Sequence, residues 1–185
     1  MSFDAFLINL IGALRNPVLD YFMLLITDFG ATVFISTLSV VAGAVFFWRK
    51  KYNHAAFLLL SVFGGEAIGI VIKHAVERAR PDILAHLIES DGFSFPSGHT
   101  LNTALFCGSL IVIAASRIKN NFLKKAVIIF LLAVIFMIGF SRIYLGVHWP
   151  SDVLGSLALG AIWVTIVSVF LDRFRIIKWL RNKLS

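Results

Sequence analysis

Residues 55–81 read AAFLLLSVFGGEAIGIVIKHAVERARP. From 55 to 72 the only ionisable side chain is Glu66, and then Lys73, Glu77, Arg78 and Arg80 arrive within eight residues, closed by Pro81. An apolar helix of about 20 residues is what crossing the hydrocarbon core of a bilayer requires. The abrupt change to cations marks the point where such a helix leaves the lipid. The stretch reads as a membrane span that delivers a charged cluster to the membrane surface.

The rest of the chain agrees. Of its 185 residues, 59% are hydrophobic and 15% charged, and the mean hydropathy is +0.90. Soluble domains sit near about 45–50% apolar and about 25% charged, so a soluble globular fold is excluded and lipid must solvate most of the surface. Apolar segments at 31–48, 100–116, 126–145 and 153–171 read as further spans, and the quoted one continues to about 76. The expected fold is an all-α integral membrane bundle of about five transmembrane helices. Residues 3–14 are apolar but too short to cross, and Arg15-Asn16-Pro17 breaks them off. Residues 18–29 are amphipathic, with Asp20 and Asp28. Residues 3–29 are therefore expected to form interfacial helices, and the missing basic start argues against a signal peptide. No linker or repeat divides residues 1–185, so one domain is expected. The lone cysteine, Cys107, lies in an apolar run and offers neither a disulfide nor a thiolate metal site.

The net charge of +7 is read through placement. Twelve basic residues (Arg49, Lys50, Lys51, Arg117, Lys119, Lys124, Lys125, Arg173, Arg175, Lys178, Arg181 and Lys183) fall on one side of these spans. Five (Arg15, Lys73, Arg78, Arg80 and Arg142) fall on the other. The positive-inside rule puts the twelve in the cytoplasm. The bilayer explains this charge without a nucleic-acid partner.

Three polar groups on the opposite face exceed what helix packing needs. In the first, Lys73 and Arg80 are seven residues apart, which on a continuous helix places both cations on one face roughly 10 Å apart. Pro81 is expected to end that helix at Arg80. The second, Phe95-Pro96-Ser97-Gly98-His99-Thr100, precedes a span. Pro and Ser are helix-start residues, free N–H groups there attract an anion, and Gly98 leaves room for one beside His99. The third runs from Ser141 to Asp152 and joins two spans. Arg142 is a phosphate fork, and Asp152, four residues after His148, is placed to accept the imidazole Nδ1–H if the chain turns helically.

In this order and spacing, Lys73-x6-Arg80-Pro81, Pro96-Ser97-Gly98-His99 and Ser141-Arg142-x5-His148-x3-Asp152 resemble the three-part signature of the type 2 phosphatidic acid phosphatase (PAP2) superfamily, in its membrane lipid phosphatase branch. The resemblance implies a phosphatase acting on a phosphorylated membrane lipid such as phosphatidic acid, phosphatidylglycerol phosphate or a polyprenyl diphosphate. It implies that His148 attacks phosphorus and becomes a phosphohistidine. His99 protonates the leaving oxygen and then activates water, and Asp152 holds the His148 tautomer. Lys73, Arg80, Ser97, Gly98 and Arg142 hold the phosphate. No cofactor and no metal are expected, because three cations converging on the histidines would repel a divalent ion. The implied location is a bacterial plasma membrane with an exoplasmic site covered by loop 82–95. The oligomeric state is left open.

Glu66 lies seven residues before Lys73 and is expected to support it from behind. His54 and His86 read as solvated. Gly64-Gly65-x3-Gly69 and Gly155-x4-Gly160 read as close helix contacts. Two rivals remain open on the residues alone. A lipid phosphotransferase would hand the phosphoryl group to an alcohol. A non-enzymatic lipid transporter or scaffold would bind without turnover and leaves the histidine–aspartate set without a purpose.

Sidedness is directly checkable. A cysteine placed within residues 84–92 is expected to react with an impermeant thiol reagent outside intact cells, and one placed near Asn120 only after lysis. The reverse pattern would overturn the exoplasmic assignment.

Overall fold

In a computed structural model the described residues are 3–184, with side chains described for 3–172. The basic residues from Arg173 onward, assigned above to the cytoplasmic side, have side chains outside the described set. The described residues form seven helices: α1 (Phe3–Gly12), α2 (Pro17–Asp28), α3 (Thr32–Trp48), α4 (Tyr52–Val76), α5 (Gly98–Arg117), α6 (Asn121–Tyr144) and α7 (Pro150–Leu184). The sequence marks several of the boundaries. Asn16 caps α2 by accepting the Leu19 N–H, with Pro17 at the first helical position, and Asn120 caps α6 by accepting the Leu123 N–H.

Helices α4, α5, α6 and residues 150–172 of α7 are long and apolar enough to cross a membrane. The expected span at 31–48 is α3, whose 17 residues rise roughly 26 Å, just under a full hydrocarbon core. The N-terminal pair α1 and α2 passes the same test taken together, bent by 118° at the break. The bundle therefore has four full-length spans. The bent pair makes a fifth if it counts as one span, and α3 is a shorter apolar helix.

Large apolar side chains on the outer faces, such as Ile129, Phe130 and Phe136 of α6, stay exposed, as lipid-facing residues do. Inside, Phe57, Leu58, Val62, Leu101, Leu105, Val164 and Val167 join α4, α5 and α7 in one core. Lipid gives helices no hydrophobic reason to associate, so close packing must do that work. A methyl group at Gly65 would sit 2.5 Å from Leu105, and one at Gly69 2.5 Å from Leu101. At Gly160 it would lie 2.9 Å from the Ala104 side chain. These glycines are close helix contacts, as their spacing indicated.

Antiparallel alternation brings the ends of α4 and α6 and the starts of α5 and α7 to one end of the bundle. The N-terminal pair folds over that end. Arg15 donates through Nε and Nη2 to the Tyr144 carbonyl (3.0 and 2.7 Å) and through Nη1 to that of Ala85 (2.7 Å). The Tyr144 hydroxyl, fully buried, donates to Asp20 at 2.5 Å. Gly146 takes a φ of +83°, and an added Cβ there would lie 2.8 Å from Arg15 Nη2. Only glycine fits that turn without strain.

One expectation fails here. Lys73 and Arg80 do not share a helical face, because α4 stops at Val76 rather than at Arg80. Glu77 takes a left-handed conformation (φ 49°) and returns its N–H to the Lys73 carbonyl, which turns the chain out of the helix four residues before Pro81. Arg80 approaches from the loop instead.

Candidate active site

A cavity of about 600 Å³ opens at this end of the bundle. Lys73 from α4, Arg80 from the following loop, Gly98 and His99 from the first turn of α5, Arg142 from the last turn of α6 and His148 from the α6–α7 loop all line it. Six of the residues proposed from sequence thus meet at one place. The remaining wall comes from loop residues Ile88, Glu89, Ser90 and Asp91, and from Tyr21, Leu24, Leu25, Thr27 and Asp28 of α2. The α2 wall was invisible in the sequence, where residues 18–29 read only as an amphipathic surface helix.

Each cation is held from behind by neutral oxygens. Lys73 Nζ donates to the Phe93 carbonyl at 2.9 Å. Arg80 donates through Nε to Gly92 (3.0 Å), Nη2 to Asp91 (2.8 Å) and Nη1 to Val147 (2.8 Å), all backbone carbonyls. Arg142, only 4% exposed, donates through Nη1 to the Thr27 hydroxyl at 2.8 Å, while its buried Nε has no partner. A guanidinium carries five N–H donors, so Arg142 keeps spare donors at the cavity wall. Burial holds the Arg80 pKa below its usual value. These charges are under-neutralised, and an anion would complete them.

His148 is 2% exposed. Its Nε2 lies 3.3 Å from Arg80 Nη1. An arginine nitrogen only donates, so this contact makes Nε2 the acceptor and leaves the proton on Nδ1. Nδ1 lies 3.4 Å from the Ser94 hydroxyl and 3.6 Å from Asp152 Oδ2. The second distance is an ion-pair approach slightly beyond hydrogen-bond length. Ser94 closes the gap by donating a very short hydrogen bond to the same Asp152 oxygen. The chain around His148 is not helical. Asp152 reaches it because Trp149 immediately precedes α7, which opens on Pro150, and the Asp152 carboxylate in its first turn accepts the Trp149 N–H at 2.9 Å.

Besides Asp152, which sits behind His148, two proposed residues stand apart from the cavity wall. Ser97 is fully buried, its hydroxyl 3.0 Å from that of Thr100 and its N–H donating to Ser156 Oγ at 2.8 Å. It fastens α5 to α7 behind the site and would have to leave Thr100 to reach an anion. Glu66 is half-buried in α4, and among the described residues no hydrogen bond or ion pair joins it to Lys73. A Cβ at Gly98, by contrast, would meet nothing within 4 Å, so that turn faces open space. The free N–H groups that begin α5 lie there, as at every helix start. His54 and His86 are hydrogen-bonded within the protein, to Arg117 at 2.9 Å and to the Pro81 carbonyl at 2.7 Å.

Burial is the largest influence on His148 and lowers its pKa to about 4, with Arg142 and Arg80 adding to the fall and Asp152 opposing it. Its imidazole is therefore neutral at physiological pH. A depressed histidine pKa stabilises the fold above the unfolded value, and that stability is lost as pH falls from about 6.5 toward about 4.

Known proteins resemble this chain in sequence and fold. The family model described as "PAP2 superfamily" matches residues 54–176. Phosphatidylglycerophosphatase B of Bacillus subtilis is 40% identical over 171 residues, covering 88% of this chain and 81% of that protein. Undecaprenyl-diphosphatase BcrC of the same organism is 30% identical over 166 residues, covering 87% and 79%. The crystal structure of a transmembrane PAP2-type phosphatidylglycerolphosphate phosphatase from Bacillus subtilis superposes with a TM-score of 0.80 at 35% identity, covering 92% of this chain and 85% of that one.

Titration of the protein in detergent, followed by the imidazole NMR signals, is expected to show His148 neutral at pH 5.5 with a midpoint near pH 4. A midpoint at about 6.5, the value of a free imidazole, would refute the burial argument.

Proposed function

The chain belongs to the PAP2 superfamily and is a multi-pass membrane lipid phosphatase; on that footing we propose that it hydrolyses a lipid phosphomonoester or diphosphate through a phosphohistidine on His148, without a metal ion. The observation that carries this reading is the shared cavity. Three cations, two histidines and a helix N-terminus line it together.

The substrate phosphate takes the spare donors of Lys73, Arg80 and Arg142 and the N–H groups that begin α5. As Arg80 Nη1 turns to the phosphate, it releases the Nε2 lone pair that it holds at 3.3 Å. That lone pair attacks phosphorus as the bond from phosphorus to the lipid oxygen breaks. His99, protonated once the bound phosphate offsets the neighbouring cations, gives its proton to the leaving oxygen. The positive charge on His148 is balanced by Asp152, which with Ser94 keeps the Nδ1 proton in place. Water then attacks phosphorus, and the phosphorus–nitrogen bond breaks with its electron pair returning to Nε2. His99 takes the water proton, phosphate leaves and His148 is restored. Charge on the transferring phosphoryl group is met by three side-chain cations, the part that Mg²⁺ plays in many phosphotransfer enzymes.

The named relatives act on phosphatidylglycerophosphate and undecaprenyl diphosphate, which supports a membrane lipid as the substrate of this chain. Phosphatidic acid, phosphatidylglycerol phosphate and polyprenyl diphosphates all share the required chemistry, a terminal phosphate on an apolar tail. The apolar wall of Leu24, Leu25 and Ile88 beside the cations fits such a molecule. The distribution of basic residues supports a site on the exoplasmic face of a bacterial plasma membrane.

Phosphate release in detergent, measured across these lipids, tests the reading. Activity is expected to persist in excess EDTA and to fall with vanadate, which imitates five-coordinate phosphorus. Loss in EDTA with recovery in Mg²⁺ would refute the metal-free route. Tight lipid binding without phosphate release would refute catalysis altogether.

A further inference from the structure

Asp152 is fully buried, and its two oxygens face different partners. Oδ2 serves the nucleophile side, with Ser94, the Trp149 N–H and His148 Nδ1 around it. Oδ1 accepts Arg78 Nη1 at 2.6 Å. The same Arg78 nitrogen also donates to the Ser151 hydroxyl at 2.7 Å, and Nη2 donates to Asp4 Oδ2 at 2.8 Å. Asp4 in turn accepts from Ser151 twice, from its N–H at 2.9 Å and from its hydroxyl at 2.5 Å. The Arg78 guanidinium lies 5.5 Å from the centre of the Trp149 ring. The N-terminal helix is thereby tied to Ser151, the residue before Asp152, across 147 positions of sequence, and through Arg78 to Asp152 itself.

We propose that Arg78 and Asp4 are positioning residues for the phosphatase reaction. Arg78, seated by Asp4, fixes the rotation and charge of Asp152 so that its other oxygen stays against Ser94 and His148. The inference rests on the reading of His148 as nucleophile. A carboxylate shut away from water needs a cation to remain ionised. It must be ionised to balance the imidazolium that forms when His148 attacks. Arg78 supplies that cation on the side away from the cavity, so it does not compete with phosphate. Arg78 is itself 32% exposed along its side chain, whereas Asp4 is 13% exposed. Asp4 keeps the fork from swinging into solvent. Together with Arg15, this contact gives α1 a purpose beyond covering the bundle: its first turn sets the aim of the nucleophile.

The test is a double-mutant cycle on purified protein with a lipid phosphate substrate. Arg78→Gln and Asp4→Asn are each expected to lower kcat roughly 10- to 100-fold, the cost of a misplaced catalytic group, with KM almost unchanged. Arg78→Lys, which keeps the charge and loses the fork, is expected to recover part of the loss. In the background of Asp152→Asn, neither change is expected to lower kcat further, because both act through that carboxylate. Asp4→Asn preserves shape and carries the test if Arg78→Gln does not fold. Additive losses, a rise in KM alone, or wild-type kcat in the Arg78→Gln and Asp4→Asn variants would overturn the proposal. Those outcomes leave the phosphatase reading intact provided that wild-type protein releases phosphate and His148→Ala does not. An inactive wild type, or an active His148→Ala, would remove the reading on which the proposal stands.

Discussion

Arg80 is the point at which the site end of the bundle is tied together. Its guanidinium is clamped by the carbonyls of Asp91 and Gly92 on one side and Val147 on the other, and it touches Nε2 of His148. The clamp holds the loop after α4 against the loop after α6, although neither is helical. It also determines the protonation of His148, the proposed nucleophile. A nitrogen that can only donate holds the proton of His148 on the far side of the ring, next to Ser94 and Asp152. In the proposed reaction, phosphate binding and release of the lone pair become one event, since both draw on the same guanidinium.

The clamp also answers an electrostatic problem. Lys73, Arg80 and Arg142 share one cavity with two imidazoles, and like charges in a poorly solvated site repel. The structure restrains the cations with neutral acceptors, carbonyls for Lys73 and Arg80 and the Thr27 hydroxyl for Arg142. Carboxylates at the wall, Asp28, Glu89 and Asp91, temper the field without closing on the cations as salt bridges among the described residues. The site is left short of negative charge, the condition under which a phosphate binds and a phosphoryl transition state is stabilised. The acidic partner of His148 is kept on the other side, neutralised by Arg78 and away from the incoming anion.

Much of this was legible in the sequence because lipid makes charge expensive. Long apolar runs exposed the spans, and the polar residues that interrupt them at one face had to have a purpose. Lys73, Gly98, His99, Arg142 and His148 were found in that way, and the structure gathers them. The geometry that brings Arg80 there was not legible. A seven-residue spacing specifies a shared face only if the helix persists, and Glu77 ends it early by taking a left-handed turn unusual for a residue with a side chain. Ser97 was read by its position before a helix, but its hydroxyl turns to Thr100 and its N–H to Ser156, pairings that depend on how α5 packs on α7. Asp4, Thr27 and Ser94 gave no signal at all. Their partners lie far along the chain, and single polar residues near a helix end resemble ordinary caps.

The central claim is that His148 carries the phosphoryl group. It is tested most directly in a His99→Ala variant mixed with an aryl phosphate, whose leaving group needs little protonation and whose intermediate then lacks a base for its hydrolysis. After rapid alkaline quenching, peptide mass spectrometry is expected to find phosphate on His148, lost on mild acid treatment as a phosphoramidate is, and missing when His148 is also replaced by Ala. Phosphate on another residue, or undiminished turnover by His148→Ala, would contradict the account.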